Sequence, residues 1–375
     1  MAKEKKEKVV GESLGKASEL MERMLKCSRI AETERLVDST ILNERPGAPT
    51  KIKMLNIAWS GSMDSGPGAG ISTIAGKSKH YKSTYCAHAM AGFLNKYEKS
   101  LILYYNNEFG IKRSYLENCG VGVDRVIHIP FINVEVLTED IMHRLENLTD
   151  KDKVMIVIDS IGNISTVREI NNAIEQTGKE DMSKARRLKA LMRMVTPLLY
   201  IKNIPLLQIG HTYQSQDLFS RQILAGGEAI MLNSDSVFFV TKSALKESSE
   251  KTGFNFDLKI VKSRYIKEDS IINIVVRWDS GISVYSGFAD LAVEFGIIKE
   301  GGTAKKKTYL YDSISKGSVE VPAKKIDTNV EFWELVLKET DLQFKIENNY
   351  LLPTPKTVSE IVTVDESDDD DGEED

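Results

Sequence analysis

Short unbroken apolar runs alternate with longer segments of helical spacing along most of this 375-residue chain. Such runs are typical of strands that a parallel sheet buries on both faces. They predict strands at residues 100–106 (SLILYYN), 154–159 (VMIVID) and 205–210 (PLLQIG), after a first strand that ends in ISTIAG at 71–76. Because segments of helical spacing lie between these strands, the order predicts an α/β fold.

The segments of helical spacing are predicted as helices. They cover residues 12–36, 85–97, 113–119, 138–147, 183–202, 288–296, 330–339 and 341–348. Pro197 predicts a bend or an end within the fifth of these helices. Residues 52–59 (IKMLNIAW) are predicted as a strand that introduces the main domain, after a linker rich in turn residues at 44–49.

The last predicted strands of the sheet follow one another without helices between them. They lie at 235–241, 256–261 and 272–278, so the sheet is expected to end in an antiparallel portion. A short strand at 126–129 and a β-hairpin at 301–312 complete the prediction.

The predicted fold class is therefore α/β, with a mostly parallel sheet in the core, an N-terminal helix–strand element and a small C-terminal α+β region. The N-terminal element can pack on a neighbouring copy or on its own domain. The expected divisions are 1–10 (disordered), 11–50 (N-terminal helix and linker), 51–286 (core), 287–355 (C-terminal region) and 356–375 (disordered acidic tail).

Charge divides the chain into a mildly basic body and an acidic end. The formal net charge is −5, and the last eleven residues, DESDDDDGEED, carry nine acidic and no basic groups, which leaves +4 on the remainder. A basic body suits binding of polyanions, and a run of carboxylates can compete with them. The alternative is a tail that only keeps the protein soluble.

Other composition features argue against several classes of protein. The three cysteines show no CxxC spacing and the five histidines no metal-ligand spacing, which favours a reducing compartment and no zinc site. No apolar run approaches the ~20 residues that cross a bilayer. The charged start, MAKEKKEK, lacks the apolar region of a signal peptide. We therefore expect a cytoplasmic protein.

Residues 76–83 match the phosphate-loop pattern G-x-x-x-x-G-K-[ST], with Gly76, Lys82 and Ser83 at the required spacing. Gly76 is expected to let the chain turn sharply as it leaves the strand. Lys82 would reach phosphate oxygens, and the Ser83 hydroxyl would hold Mg²⁺. Tyr81 departs from the pattern, since it stands at the second glycine. The alternative is a basic turn before an ordinary helix.

Two carboxylates follow buried strands, at the edge where open α/β sheets bind ligands. Asp159 suits the second Mg²⁺-holding carboxylate of an NTPase. Glu108 could orient or deprotonate the attacking water, or it could be a surface residue at a strand end.

Cations further along the chain are candidates for binding phosphate or nucleic acid. Lys262 and Arg264 point to the same side of an extended segment. They form a solvated face, or they reach a nucleotide in cis or from the next subunit. Long polar stretches at 163–184 and 211–229 carry basic residues and an aromatic, as in single-strand binders, or they are lids over a small substrate.

Together these motifs resemble the RecA superfamily of DNA strand-exchange recombinases, and in particular the UvsX-like recombinases of large tailed phages. The signature stretches are MLNIAWSG, NNEFGIKRSYL, VMIVIDSIGN, KNIPLLQIGHTYQSQDLFS, VKSR and YSGFADLAVEFG. The likeness covers roughly residues 51–312. It implies a RecA-like P-loop NTPase core and an N-terminal polymerisation element.

The resemblance also implies roles for individual residues. Glu108 would activate water, His211 would be the sensor of the γ-phosphate, and Lys262 and Arg264 would reach the ATP of the adjacent protomer. An aromatic at position 81 is associated with the phage branch. The implied nucleotide-binding residues, in which Tyr115 stacks on adenine and Ser83 and Asp159 hold the metal, are Gly76, Lys77, Ser78, Lys79, His80, Tyr81, Lys82, Ser83, Thr84, Tyr115 and Asp159.

The two polar stretches would be the DNA-binding loops of such a recombinase, at 163–184 and 212–229. Their implied DNA-binding residues are Arg168, Lys179, Phe219, Arg221, Gly226 and Gly227. The implied function is an ATP- and Mg²⁺-dependent recombinase that forms helical filaments on single-stranded DNA and pairs it with a homologous duplex. Expected partners are single-strand-binding and mediator proteins, with no membrane.

Two other functions fit the same core. A ring helicase would need a partner-binding or primase-associated domain, which the sequence does not show. An ATP-binding protein that coats DNA without significant turnover would not need Glu108.

Overall fold

A nine-stranded sheet forms the centre of the molecule in the computed structural model, which describes residues 18–42, 45–149, 151–176, 183–215, 222–247, 250–303 and 306–353. Its strand order is β11-β10-β9-β8-β1-β5-β4-β2-β3. The strands of the described residues are β1 Gly70–Gly76, β2 Ser100–Asn106, β3 Val126–Pro130, β4 Lys153–Asp159, β5 Pro205–Gly210, β6 Thr212–Gln214, β7 Gln222–Leu224, β8 Ser236–Glu247, β9 Glu250–Lys262, β10 Ile271–Arg277, β11 Gly281–Ile282, β12 Lys299–Thr303, β13 Lys306–Ser313 and β14 Gly317–Pro322.

Helices cover both faces of this sheet. Within the described ranges they are α1 at 18–27, α2 Lys53–Ser60, α3 Lys82–Lys96, α4 Arg113–Asn118, α5 Val134–Asn147, α6 Val167–Ile174, α7 Lys184–Ile201, α8 Glu228–Asn233, α9 Phe288–Glu294, α10 Val330–Glu339 and α11 Leu342–Tyr350. None of them is long and apolar enough to cross a membrane.

Six neighbouring strands of this sheet are parallel, namely β8, β1, β5, β4, β2 and β3. Beyond β8, strands β9, β10 and β11 continue the sheet in antiparallel pairs. This confirms the predicted α/β class and the antiparallel end. Side chains of a strand alternate between two cores: Ile74 packs in the cluster that includes α2 and α3, whereas Ala75 packs in the cluster that includes α5 and α7. Burial on both faces explains why these strands are apolar without interruption.

The register brings the polar ends of several strands to one edge. Asn106 at the end of β2 lies opposite Asp159 at the end of β4, and Ala75, just before the end of β1, lies opposite Gly210 at the end of β5. The residues that follow these four strands therefore meet at the carboxyl edge of the sheet, where open α/β sheets bind ligands.

The predicted strand at 52–59 is wrong, because Lys53–Ser60 is helix α2. The six residues from Met54 to Trp59 are all buried and mostly apolar, so the segment reads as a strand-like run, although its polar Lys53, Asn56 and Ser60 stand at helical spacing. Gly61, at φ 76°, ends the helix.

Other predicted elements differ in extent. Helix α1 ends at residue 27 rather than 36, where the Ser28 hydroxyl accepts a hydrogen bond from the Ile30 N–H and competes with the helix. Helix α7 runs through Pro197 without a break. The predicted hairpin at 301–312 is part of a three-stranded sheet, β12-β13-β14. The tails predicted as disordered, 1–10 and 356–375, lie outside the described residues.

Candidate active site

The segment between β1 and α3 carries the phosphate-loop sequence. Lys82 is buried at the start of α3, and its Nζ donates to the carbonyls of Gly76 at 3.0 Å and Lys77 at 2.9 Å. Burial lowers the pKa of Lys82, and the carboxylates of Glu108 and Asp159 oppose this shift. The ammonium group is thus held at the N-terminus of a 15-residue helix, where free N–H groups stabilise anions.

The other loop residues line the same turn. Lys77, Ser78 and Lys79 are exposed, His80 and Ser83 are partly buried, and Thr84 is buried. Gly76 is needed for a different reason from the predicted one. Its φ is not in the left-handed region, but a Cβ there would lie 2.8 Å from the Val240 carbonyl oxygen of β8. The glycine therefore allows close approach of a neighbouring strand rather than a sharp turn.

Tyr81 takes the conformation that a glycine would take at this position. Its φ is 57° and its ψ 15°, in the left-handed region, which costs an ordinary residue roughly 1–2 kcal/mol. Its ring lies 4.8 Å from the ring of Phe256 in β9, and an aromatic pair contributes about 0.5–1.5 kcal/mol. Contact with the antiparallel part of the sheet thus offsets the backbone strain of an aromatic in a phosphate loop.

Asp159 is a buried carboxylate with one satisfied oxygen. The Tyr104 hydroxyl donates to Oδ2 at 3.1 Å, whereas Oδ1 is buried and has no partner among the described residues. Burial raises the pKa of Asp159, and the nearby Ser83 hydroxyl opposes the shift. An unpaired buried carboxylate oxygen is costly, and a bound cation would compensate it.

Glu108 follows β2 and accepts three side-chain hydrogen bonds on one oxygen, Oε1. The donors are the Ser160 hydroxyl, Asn163 Nδ2 at 3.0 Å and His211 Nε2 at 2.7 Å. The hydrogen bond from His211 is the largest of the effects that lower the pKa of Glu108 to about 2. Asn163 and His211 stand at the starts of the two long polar stretches, so both stretches meet at this carboxylate.

Two asparagines before Glu108 fix its position. Asn106 Oδ1 accepts the N–H groups of Glu108 at 3.1 Å and Phe109 at 2.9 Å, and Asn107 Oδ1 accepts the Ser160 N–H at 2.7 Å. Sequence reasoning drew nothing from these residues. The available signal was a pair of amides directly before a carboxylate at a strand end, where side chains that bind backbone N–H groups shape turns.

Tyr115 of α4 lies beside the start of α3. Its hydroxyl is 2.8 Å from the Thr84 hydroxyl, and the residue is 39% exposed. The structure therefore brings a partly exposed aromatic ring next to the phosphate loop.

Known proteins resemble the chain over most of its length, although no protein-family model matches it. The recombination and repair protein of Enterobacteria phage T4 is 38% identical over 281 residues, which are 75% of this chain and 72% of the relative. The RecA proteins of Leptospira meyeri and Acholeplasma laidlawii are 23% and 24% identical, over 81% and 63% of this chain and 76% and 70% of those proteins. The chain belongs to the RecA family of recombinases.

Two predicted site residues of this recombinase lie away from its own phosphate loop. Lys262 is paired with Val237 near the start of β8, and Arg264 pairs with Asp235, whose N–H donates to the Ile71 carbonyl. Ile71 is at the beginning of β1, five residues before Gly76, which is about 16 Å along a parallel strand. The two cations are therefore at the edge of the sheet opposite the phosphate loop.

The described residues of the two long polar stretches form helices and a β-ribbon rather than the predicted continuous loops. The first contains α6, which begins with a capping box between Thr166 and Glu169 and exposes Arg168. In the second, β6 and β7 pair as a ribbon, and Gly226 and Gly227 lead into α8 with φ values of 102° and 93°. The remaining predicted DNA-binding residues, Lys179, Phe219 and Arg221, lie outside the described residues.

Proposed function

We propose that this RecA-family protein hydrolyses ATP with Mg²⁺ and uses it to assemble on single-stranded DNA and pair it with a homologous duplex. The observation that carries the proposal is the meeting of three groups at one sheet edge: a buried lysine in a phosphate loop, a buried carboxylate with an unpartnered oxygen, and a second carboxylate fixed by hydrogen bonds. The phage T4 relative, whose name is recombination and repair protein, supports the recombination role.

The residues around Asp159 suit a magnesium ion. Its Oδ1 is buried without a partner in the described part of the chain, and the Ser83 hydroxyl lies close enough to affect its pKa. Mg²⁺ takes one or two protein oxygens and completes its shell with water and phosphate oxygens. Ser83 and Asp159 would hold the ion, which would neutralise charge on the phosphates.

Nucleotide binding would use the elements around the start of α3. The backbone N–H groups of residues 77–84 and the Lys82 ammonium group would bind phosphates, and the Tyr115 ring would stack on adenine. Glu108 would orient the attacking water through the oxygen that its three donors leave available. Because Asn163 and His211 donate to Glu108, movement of either polar stretch would change the position of this carboxylate.

The ATP site would be shared between protomers. Arg264 pairs with Asp235 beside the start of β1, about 16 Å of strand from Gly76, and the Lys262 ammonium group is held at the carbonyls of Met231 and Leu232. Neither side chain therefore reaches the phosphate loop of its own chain. Both would meet a nucleotide on an adjacent copy, where cations stabilise the charge of phosphoryl transfer.

DNA would bind along the two polar stretches, with Arg168 contacting phosphates from the exposed face of α6. Lys179, Phe219, Arg221, Gly226 and Gly227 complete the proposed DNA-binding set. Single-strand-binding and mediator proteins are the expected partners.

The test is ATP turnover with and without single-stranded DNA, combined with electron microscopy. Lys82→Ala should abolish turnover, and Glu108→Gln should retain ATP binding but lose roughly 10²–10⁴-fold in rate. The control is Glu98→Gln, which changes an exposed glutamate elsewhere in the core domain and should behave as wild type. Unchanged turnover in Lys82→Ala would contradict the site, and closed hexamers in place of helical filaments would favour a helicase.

A further inference from the structure

The Arg264 guanidinium is anchored by a buried carboxylate. Arg264 Nε lies 2.6 Å from Asp235 Oδ1, and the Asp235 side chain is 7% exposed, against 59% for Arg264. The Tyr200 hydroxyl donates to the same Oδ1 at 2.6 Å, and the Tyr200 ring lies 5.6 Å from the guanidinium carbon. The arginine is therefore held by an ion pair with a buried carboxylate and by a cation–π contact, while much of its side chain remains at the surface.

The fold makes room for this carboxylate. Asp235 Oδ2 accepts the Ile71 N–H at 2.8 Å, which fixes the side chain against the beginning of β1. A Cβ on Gly70 would lie 2.1 Å from Oδ2 and 3.0 Å from the Tyr200 hydroxyl, so only glycine fits beside them. Both Asp235 oxygens are thus held by the Ile71 N–H and the Tyr200 hydroxyl, independently of Arg264.

Lys262 is anchored on the same segment. Its Nζ donates to the carbonyls of Met231 at 3.1 Å and Leu232 at 2.7 Å, in the last turn of α8. Carbonyls at a helix C-terminus bind cations favourably. The segment 228–235, which begins directly after Gly226 and Gly227, therefore holds both cations.

We propose that Asp235, supported by Tyr200, is a positioning residue that directs Arg264 toward the nucleotide of the adjacent protomer. The inference rests on the shared site proposed above. A free arginine samples many rotamers, whereas the ion pair at Nε fixes the stem of the side chain. In the described part of the chain, the two terminal nitrogens make no hydrogen bond, so they are available to bind phosphate oxygens as a pair.

The first variant is Asp235→Asn. Its amide oxygen can still accept the Ile71 N–H or the Tyr200 hydroxyl, but the ion pair with Arg264 is lost. We expect kcat for ATP to fall about 10- to 100-fold, since a displacement of about 1 Å can cost 10²-fold. Binding of a fluorescent ATP analogue by the unassembled protein should stay within twofold of wild type, because the phosphate loop is at the opposite edge.

Asp269→Asn is the matched control. It makes the same change of carboxylate to amide in an exposed ion pair, with Lys259, and asparagine tolerates the left-handed φ of 63° there. It should leave kcat unchanged. Tyr200→Phe is a second variant that keeps the ring beside Arg264 and removes the bond to Asp235, and we expect kcat to fall about two- to fivefold.

Mixing Asp235→Asn with Lys82→Ala protomers separates positioning from a general loss of structure. An Asp235→Asn protomer keeps an intact phosphate loop, and a neighbouring Lys82→Ala protomer supplies an undisturbed Arg264. Turnover of the mixture should exceed that of either variant alone several-fold, as it should for Arg264→Ala mixed in the same way.

Three results would overturn the inference. The first is turnover of Asp235→Asn within twofold of wild type. The second is a loss that Lys82→Ala protomers restore for Arg264→Ala but not for Asp235→Asn, which would give Asp235 a purely structural role. The third is no restoration for Arg264→Ala, which would reject the shared site itself and the inference with it.

Discussion

The three donors on Glu108 make its charge part of the stability of the fold. Its pKa of about 2 lies below the ordinary value of 4.5, so the ionised carboxylate stabilises the folded state fully above about pH 4.5. This contribution is lost as the pH falls toward 2. The carboxylate is therefore ionised throughout the physiological range, and its titration does not set the pH dependence of turnover near neutrality.

Glu108→Gln should accordingly change the pH dependence of stability. We expect the difference in urea-unfolding free energy between wild type and the variant to be larger at pH 7 than at pH 3, because wild type loses the ionic contribution in acid. Glu98→Gln, at an exposed position, should show no such difference. An equal difference at both pH values would contradict the arrangement of donors around Oε1.

Tyr81 gives a second prediction at the scale of one residue. Tyr81→Ala loses the contact with Phe256 and keeps the left-handed strain, whereas Tyr81→Gly loses the contact and removes the strain. We therefore expect Tyr81→Gly to be more stable than Tyr81→Ala by about 1 kcal/mol in urea unfolding. The reverse order would show that the loop does not hold residue 81 in this conformation.

Residue types at fixed spacing identified the candidate lysine, serine and carboxylates, because phosphate-loop chemistry restricts which side chains can stand there. The partners of those residues were not predictable in the same way. Asn163 reaches Glu108 from 55 residues away, and Tyr104 reaches Asp159 from a similar separation. Such contacts depend on the order of the strands in the sheet, which no local pattern records.

At the scale of elements, the C-terminal helices are joined to the core through aromatic rings. Trp333 of α10 is fully buried, lies 5.4 Å from the ring of Phe288 in α9, and donates from Nε1 to the Ile326 carbonyl at 2.8 Å. It belongs to the same apolar cluster as Ile74 of β1. The division at residue 287 remains a prediction, but the packing is continuous across it.

Trp333→Ala should therefore destabilise the whole protein by about 3–5 kcal/mol, in a single transition followed by circular dichroism in urea. Phe344→Ala, at a position 66% exposed on α11, is the control and should stay within about 0.5 kcal/mol of wild type. Two separate transitions in wild type would indicate that the C-terminal region folds independently.

Elements were predictable where burial gives them a distinctive pattern. The strands buried on both faces were found because helices rarely contain so short and unbroken an apolar run. Helix α2 was missed because its buried run from Met54 to Trp59 resembles such a strand, and the helical spacing of the polar Lys53, Asn56 and Ser60 was overlooked. Helix α6 was missed because its residues are mostly exposed, and only the Thr166–Glu169 capping box indicated its start.

For the molecule as a whole, charge asymmetry predicts an effect of the acidic tail, residues 365–375, which lie outside the described residues. A run of carboxylates can occupy the positive surface that DNA phosphates need. Truncation before Asp365 should raise affinity for single-stranded DNA at low salt, with a gain that shrinks as salt rises, since charges more than ~10 Å apart are screened at 0.1 M. The gain should not depend on DNA sequence.

Binding titrations of the truncated and the full-length protein across a salt series measure this effect. Equal affinities at the lowest salt would leave a tail that serves solubility or docks a partner.

The opposite placement of Lys262 and Arg264 relative to the phosphate loop gives each protomer two unlike ends. Under the shared-site proposal, copies join head to tail, and in the proposed filament this gives an open chain rather than a closed pair or ring. The phosphate loop of one terminal copy then lacks the cations of a neighbour, and the Lys262 and Arg264 of the other terminal copy have no neighbouring phosphate loop. A lone protomer has no complete site, and a chain always has one complete site fewer than its number of copies. Turnover per protomer would thus report average chain length, rising steeply over the first few additions and levelling off in long assemblies.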